Sequence, residues 1–453
     1  MKFFRTLLAL VPMAAVSPLA SLADTQLVTN ANDSGTGSLR DALAVAAANP
    51  GADTISFAPA LNGQSIVLAT SLVVNDTSGP VTIDASGLAD APTITDTGAT
   101  GFYLFTVNAG NLMLNNLTIA NGGGASSFGG GIQSAGTLAL SRCTLSGNGE
   151  GTASGGALSM NIGTASFSHC TIFGNKAFSG SAILNQSGTL NLMHCTVSGN
   201  HSSGGSGSTI FNNTEGTVNV ANCIIAENTA VFLVADVFNR GTLNFAGRNI
   251  LKYPIRSQGG TITGSSTISY TAPLLAPLDN YGGPTKTLAL LRGSPARNGT
   301  VGSAATNDQR GFPIVSTPDI GAYEAGTLAP NFNAFVWETL PATATVPQHA
   351  STFDFDGDSV TNFNEWLALT DAANPSDYLR PPQITFSSGI LYVTVPTALG
   401  RHYSLESKTD LGDSGPWRFV PGSSFAGTGA TVSVPIAPFF EIPSYFVRVI
   451  VGP

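Results

Sequence analysis

Metal-binding chemistry is concentrated in one short segment, Asp354-Phe355-Asp356-Gly357-Asp358-Ser359-Val360-Thr361-Asn362-Phe363-Asn364-Glu365. Counting Asp354 as the first ligand puts Asp356, Asp358, the Val360 carbonyl, Asn362 and Glu365 at positions 3, 5, 7, 9 and 12, the oxygen spacing of a calcium loop. Four carboxylates packed this closely repel one another without a cation, so the loop is expected to order around a structural Ca2+. Ser359 stands at position 6, where the sharp turn favours glycine, which costs some backbone ease. The other reading is a solvated acidic turn that holds no ion. No helical periodicity enters the loop, so a paired EF-hand is not expected; residues 366–369 should form a short exiting helix.

A second constellation sits inside a repeat. Arg142, His169, His194 and Asn222 each precede a cysteine, at Cys143, Cys170, Cys195 and Cys223. Stacked in register, the two histidines would lie about 4.8 Å apart on an outward column. Such a pair could hold a transition metal or a sulfated sugar. It could equally be a solvated face, because no third His, Cys or carboxylate completes a metal site. The cysteines would point inward. A disulfide needs Cβ atoms about 3.8 Å apart with a near-perpendicular dihedral, which side chains lying side by side do not offer. Free thiols packing as small hydrophobes are therefore expected, with disulfide stapling as the alternative in an oxidising compartment.

Catalytic carboxylate pairs are not evident. Across residues 110–250 the acids are Glu150, Glu215, Glu227 and Asp236, in different phases of the repeat. A glycosidase needs two on one face, roughly 5–9 Å apart. Farther on, Arg310 against Asp319 or Glu324 reads as a structural ion pair closing the last coil, with a catalytic cluster as the alternative.

Charged residues make up 10% of the chain and the net charge is −9. Nucleic-acid binding needs a basic stripe to displace counterions, so no such partner is expected. Lys2 and Arg5 precede an apolar run over residues 7–16, interrupted by Pro12 and followed by Ser21-Leu22-Ala23. This pattern predicts a secretory signal with cleavage after Ala23, rather than an uncleaved anchor. No later segment reaches the roughly 18 uninterrupted apolar residues of a spanning helix. The mature chain is therefore expected to be exported, extracellular or at the outer cell surface, without a transmembrane helix.

The element that must position these residues is the repeat itself. Residues 112–121, 138–148, 165–175, 190–200 and 218–228 alternate apolar with Ser, Thr or Asn and close on Asn121, Asn148, Asn175, Asn200 and Asn228, at steps of 27, 27, 25 and 28 residues. Alternation is strand periodicity. Three short strands with their turns fill one such step, so the expected fold is all-β, a right-handed parallel β-helix solenoid whose asparagines stack into a ladder. Small residues at Gly129-Gly130-Gly131-Ile132, Gly155-Gly156-Ala157-Leu158, Gly180-Ser181-Ala182-Ile183 and Gly207-Ser208-Thr209-Ile210 let each coil turn tightly.

Over residues 110–230 these units resemble the Gly-Gly-Ala-Ile and Phe-x-x-Asn repeats of polymorphic outer-membrane proteins, without the Phe, and more widely the pectate-lyase-like (pectin lyase-like) β-helix superfamily. Tyr281-Gly282-Gly283-Pro284, Asp308-Gln309-Arg310-Gly311 and Asp319-Ile320-Gly321-Ala322-Tyr323-Glu324 resemble the choice-of-anchor Q domain that terminates exported bacterial β-helices, with Arg297-Asn298 departing from its usual pair. The acidic loop resembles thrombospondin type-3-like or dockerin-like repeats, in a single copy.

Ser38 and Asp41 should cap a helix over the first coil, with Arg40 and Asp41 serving cap electrostatics, and Asn49-Pro50-Gly51 should end it. The expected organisation is a signal peptide at 1–23, strand and capping helix at 24–60, coils at 61–270, a C-terminal cap at 271–326, a linker at 327–350, the calcium loop at 351–378 and a small β-sandwich at 379–453. The functional expectation is a non-catalytic, adhesin-like or scaffold protein meeting extracellular polysaccharide or cell-surface components. The alternative is a carbohydrate-active lyase or hydrolase using an exposed face of the β-helix.

Overall fold

A computed structural model describes residues 24–98, 101–123, 130–150, 154–204, 207–232, 234–314, 316–326, 331–377, 382–387, 390–412, 415–436 and 446–452. The expected signal peptide, Gly129 and Tyr445 lie outside the described residues. The alternating pattern folds as an all-β parallel solenoid of about 8 turns, followed by small antiparallel sheets. Sheets of ten, nine and eight strands run along it.

Register follows the repeat. Thr137, Thr164, Thr189, Thr217 and Thr242 share one outward row. The next residues, Leu138, Ala165, Leu190, Val218 and Leu243, are fully buried. Period-2 alternation thus sends one side chain to the core and the next to the surface. The close turns need small residues: a Cβ on Gly156 would lie 2.5 Å from the Ser181 carbonyl oxygen.

The asparagine column forms as expected over four members. Asn148 Nδ2 donates to Asn175 Oδ1 at 3.0 Å, Asn175 Nδ2 to Asn200 Oδ1 at 2.9 Å, and Asn200 Nδ2 to Asn228 Oδ1 at 3.0 Å. Asn228 Nδ2 then reaches Asp236 Oδ1 at 3.3 Å. Asn121 does not belong to the column. It is exposed, with φ +57°, and pairs with the position that Gly147 takes in the next coil. Gly122 stands where the asparagine would, its N–H donating to Asn148 Oδ1. Asparagine tolerates the left-handed backbone that glycine adopts in the neighbouring turns, so the two residues trade places. Cys143, Cys170, Cys195 and Cys223 are all free and buried, and the Cys143 and Cys195 amides donate to the sulfurs of Cys170 and Cys223.

At the N-terminal end the helix Leu39–Ala48 covers the core, with Ser38 Oγ accepting from the Asp41 amide and Asp41 accepting from Gly37 N–H. Arg40 ties Asp33 to the carbonyls of Thr70 and Ser71. At the other end the last strands, Arg256–Ser257 and Thr261–Thr263, remain largely exposed.

Residues 271–326, expected to close the last coil, run instead along the flank. Pro284 accepts from the Ala91 amide. Thr171 Oγ1 meets Thr287 Oγ1 at 2.9 Å and Gln309 Oε1 at 2.6 Å, and Thr196 Oγ1 accepts from the Ala322 amide. The row Thr144, Thr171, Thr196 faces outward from the strand after each cysteine and is buried by this strap. Outward hydroxyls that no water can reach need partners, and Gln309 supplies them to two of the three.

The stretch at 327–350, expected to be a linker, holds the helix Phe332–Thr339 with Asn331 as N-cap. Its Phe335 and Val336 are buried against Leu340, Trp366 and Ala372. Flanking Pro, Thr and Ala hid a short apolar face that finds a partner only in tertiary structure. The C-terminal strands form the expected sandwich-like pair. One sheet contains Gln383–Ser387, Ile390–Pro396 and Thr431–Ile436; the other is centred on His402–Lys408. Val393, Val395, Tyr403 and Leu405 fill its small core.

Candidate metal centre

The acidic segment folds through its own side chains. Asp354 accepts from the Gly357 amide at 2.7 Å and the Ser359 amide at 2.9 Å; Asp356 accepts from Asp358 N–H, and Asp358 from Val360 N–H. The last two are Asx turns, in which a carboxylate substitutes for a backbone acceptor, and Asp354 closes the longer loop in the same way. Gly357 and Ser359 both lie at positive φ, +82° and +77°. The second is the strained position read from the sequence, since a serine there has no glycine freedom. Thr361 then caps the helix Asn362–Ala368, so Asn362 and Glu365 project from its first turn.

Asp354, Asp356 and Asp358 each offer a carboxylate oxygen, all within 4.8 Å of one another. Glu365 is fully buried and neither of its oxygens has a partner. Asn362 is equally buried; its Nδ2 donates to the carbonyls of Gln348 and Ala350, leaving Oδ1 unpartnered. Asp356 Oδ2 is likewise buried without a partner. Burial, then the charges of Asp356, Asp358, Asp354 and Asp371, push the Glu365 carboxyl up to about 8. A buried carboxylate with no donor is costly. Oxygen atoms only, mixed carboxylate and amide, suit a hard cation such as Ca2+ rather than a transition metal. Of the six expected ligands, three aspartates converge, Glu365 and Asn362 offer unpartnered oxygens, and Val360 is half-buried with its amide on Asp358.

The site is tied to its surroundings on both sides. Trp366, next to Glu365, packs on Phe332 and accepts through its carbonyl from Arg401 Nη2 at 2.6 Å, and the Arg401 guanidinium lies 4.8 Å from its ring centre. Arg401 belongs to the sandwich, and Phe332 to the helix behind the solenoid strap. Asp371 pairs with Arg292 of the strap at 3.0 Å.

The other candidate residues resolve differently. Arg310 is buried and pairs with Asp308 at 2.7 Å, not with Asp319 or Glu324 side chains. It also donates to the Glu324 carbonyl and lies 3.7 Å from the Tyr323 ring centre. Asp319 accepts from Ala325 N–H and Glu324 from Asp319 N–H, so both carboxylates pin backbone rather than face a cleft. Burial raises Asp319 to about 6 and Glu324 to about 7. Asp236 is buried and accepts from the Lys252 and Tyr253 amides; Glu227 pairs with Lys252; Glu150 and Glu215 are exposed and apart in the stack. A second buried ladder, Asn185–Asn212–Asn239, at 2.9 and 2.8 Å, was not expected from the sequence. Its signal was an asparagine ending each of three strands shortly before a glycine.

No protein-family model matches this chain, and no curated protein matches it either. No helix among the described residues is long and apolar enough to cross a membrane.

Proposed function

We propose that this protein is an exported, non-catalytic β-solenoid of the adhesin-like or scaffold kind, in which one structural Ca2+ fixes the join between the solenoid and the C-terminal sandwich. The ligands are Asp354, Asp356, Asp358, the Val360 carbonyl, Asn362 and Glu365. The observation that carries the calcium assignment is Glu365, buried with both oxygens unpartnered and within the field of three aspartates that converge on one another. Calcium supplies the charge that lets this carboxylate ionise out of contact with water. Support for a non-catalytic stack comes from the carboxylates of residues 110–250: Asp236 is held in backbone bonds, Glu227 is ion-paired, and Glu150 and Glu215 are isolated. The export signal, the choice-of-anchor Q-like strap and a polysaccharide or cell-surface partner belong to the same reading. The export signal rests on Lys2, Arg5 and the apolar run over residues 7–16, and the strap and partner on the resemblances drawn from the sequence.

The test is terbium luminescence excited through Trp366, the neighbour of Glu365. One saturable site, displaced by calcium and lost in Glu365→Ala, is expected. An affinity on the order of 10⁻⁴ to 10⁻³ M suffices for an extracellular module. No sensitised emission would reduce the loop to an acidic turn. Turnover of any uronate-containing or sulfated polysaccharide would overturn the non-catalytic half.

A further inference from the structure

The column Arg142, His169, His194 and Asn222 is not a solvated face. Residues 301–307 of the strap cross over it and enclose a cleft of about 480 Å³, at the small end of the range for ligand pockets. His169 and His194 stack with ring centres 5.0 Å apart and planes within 6°. His194 Nε2 bonds Ser303 Oγ at 2.7 Å, which anchors the crossing segment. His169 Nδ1 bonds Ser168 Oγ at 2.9 Å, and its Nε2 is buried without a partner.

The backbone beneath this column is strained in a selective way. Asn116, Arg142, His169, His194, Asn222 and Gly247 occupy one turn position in successive coils. The non-glycines have φ between +49° and +54°, and Gly247 has +60°. Asparagine and glycine take this conformation readily, whereas arginine pays roughly 1 kcal/mol or more for it. Arg142 lines the cleft together with the two histidines that share this conformation. No ion pair among the described residues includes Arg142, and no carboxylate lines the cleft.

A metal does not fit this lining. His194 Nε2 is already engaged, and a transition-metal site needs at least a third ligand. Burial lowers both imidazoles, His169 to about 4, so they are neutral near pH 7 and the formal charge facing the cleft is that of Arg142. One guanidinium balances one negative charge, and its planar fork suits an oxyanion. Met193 and Val301, both exposed, with Ala304 and Ala305, offer apolar wall for the rest of the molecule.

We infer that this cleft binds a small organic monoanion, a carboxylate or a sulfate ester, with Arg142 taking the charged group and His169 Nε2 adding a hydrogen bond. The inference stands independently of the calcium loop. The full chain is titrated at low salt with benzoate, phenyl sulfate, benzyl alcohol and inorganic sulfate. The imidazole Cε1–H resonances of His169 and His194 are followed by NMR and assigned with His169→Asn and His194→Asn. Saturable shifts of both resonances with benzoate or phenyl sulfate are expected, the effective probe deciding between the two acids. Arg142→Asn should weaken binding at least tenfold. Asparagine suits the left-handed backbone better than arginine, so this variant should melt no lower than the parent. Arg142→Lys, which keeps the charge without the fork, should bind with intermediate affinity. Equal binding of benzyl alcohol, binding of inorganic sulfate alone, unchanged affinity in Arg142→Asn, or no saturable shift with any probe would each overturn the inference.

Discussion

Replacing Asn200 by alanine tests the ladder where it is most fully connected. Its Oδ1 accepts from the Asn175 amide and from Asn175 Nδ2, both at 2.9 Å. Its Nδ2 donates to the carbonyls of Ile172 and Ser198 and to Asn228 Oδ1. Alanine leaves the Asn175 N–H and one Asn175 amide hydrogen without acceptors in a site with no water access. The acceptors fare better, since Asn228 Oδ1 keeps the Asn200 backbone donor at 3.0 Å. Two orphaned buried donors at about 1–3 kcal/mol each give a loss of about 4 kcal/mol, roughly a thousandfold in the population of locally opened molecules. Asn148→Ala is the internal control. Its Oδ1 accepts only from the Gly122 amide, so one donor is orphaned and the loss should be about half. Hydrogen exchange at Thr171–Phe173 and Thr196–Ser198 reads the effect locally, without assuming that so long a chain unfolds in one step. Asn200→Asp should be worse than alanine at neutral pH, because it buries a charge against carbonyl oxygens, and should recover as acid protonates it. Equal protection in Asn200→Ala and Asn148→Ala, or none lost in either, would refute the ladder as a source of stability.

Chelation of the wild type should speed proteolysis within residues 351–378 and leave the solenoid folded; Glu365→Ala should be cleaved at the same rate with or without calcium, and melting of the whole solenoid on chelation would contradict a local role. All four cysteines should react with a thiol probe after denaturation without reductant, and two or fewer reacting would mean that disulfides had formed. Burial raises Asp319 and Glu324 to about 6 and about 7, so the folded state holds more protons than the unfolded one between roughly pH 4 and 7. Measured with calcium saturating, these two carboxyls should therefore add stability to the strap as pH falls from 7.5 to 5, against the opposite contribution of the buried His169 and His194 beneath it; Asp319→Asn and Glu324→Gln should remove that gain, and a pH dependence identical to the parent's would refute the assignment.

The solenoid was legible because its signal is repeated: an alternation that recurs through five units fixes strand, face and register together. The error at Asn121 shows the limit of that signal, since Asn-Gly and Gly-Asn spell the same turn with the residues exchanged. The local shape of the proposed calcium loop was legible from spacing, because turns closed by aspartate side chains and the first turn of a helix are local structures. What sequence could not convey was lateral. Thr144, Thr171 and Thr196 read as ordinary outward hydroxyls until the strap covers them, and the Phe332–Thr339 helix has too few apolar residues to announce itself. Arg310 chose Asp308, two residues away, over the more distant acids. The histidine column was visible as a column, but the segment that turns it into a cleft lies over a hundred positions away, at Ser303.

The strap also determines how the molecule meets force. A tension entering through the C-terminal sandwich reaches the stack by way of Arg401, the helix at Asn362–Ala368 and the Arg292–Asp371 pair. From there the load spreads over lateral bonds at Arg142 and Thr144 in one coil and at Thr171, Thr196 and Asn222 in the next three. A bare solenoid pulled at its tail would peel one coil at a time, each rupture exposing the next. Here the coils are loaded in parallel and in shear, so the tail resists until several bonds fail together.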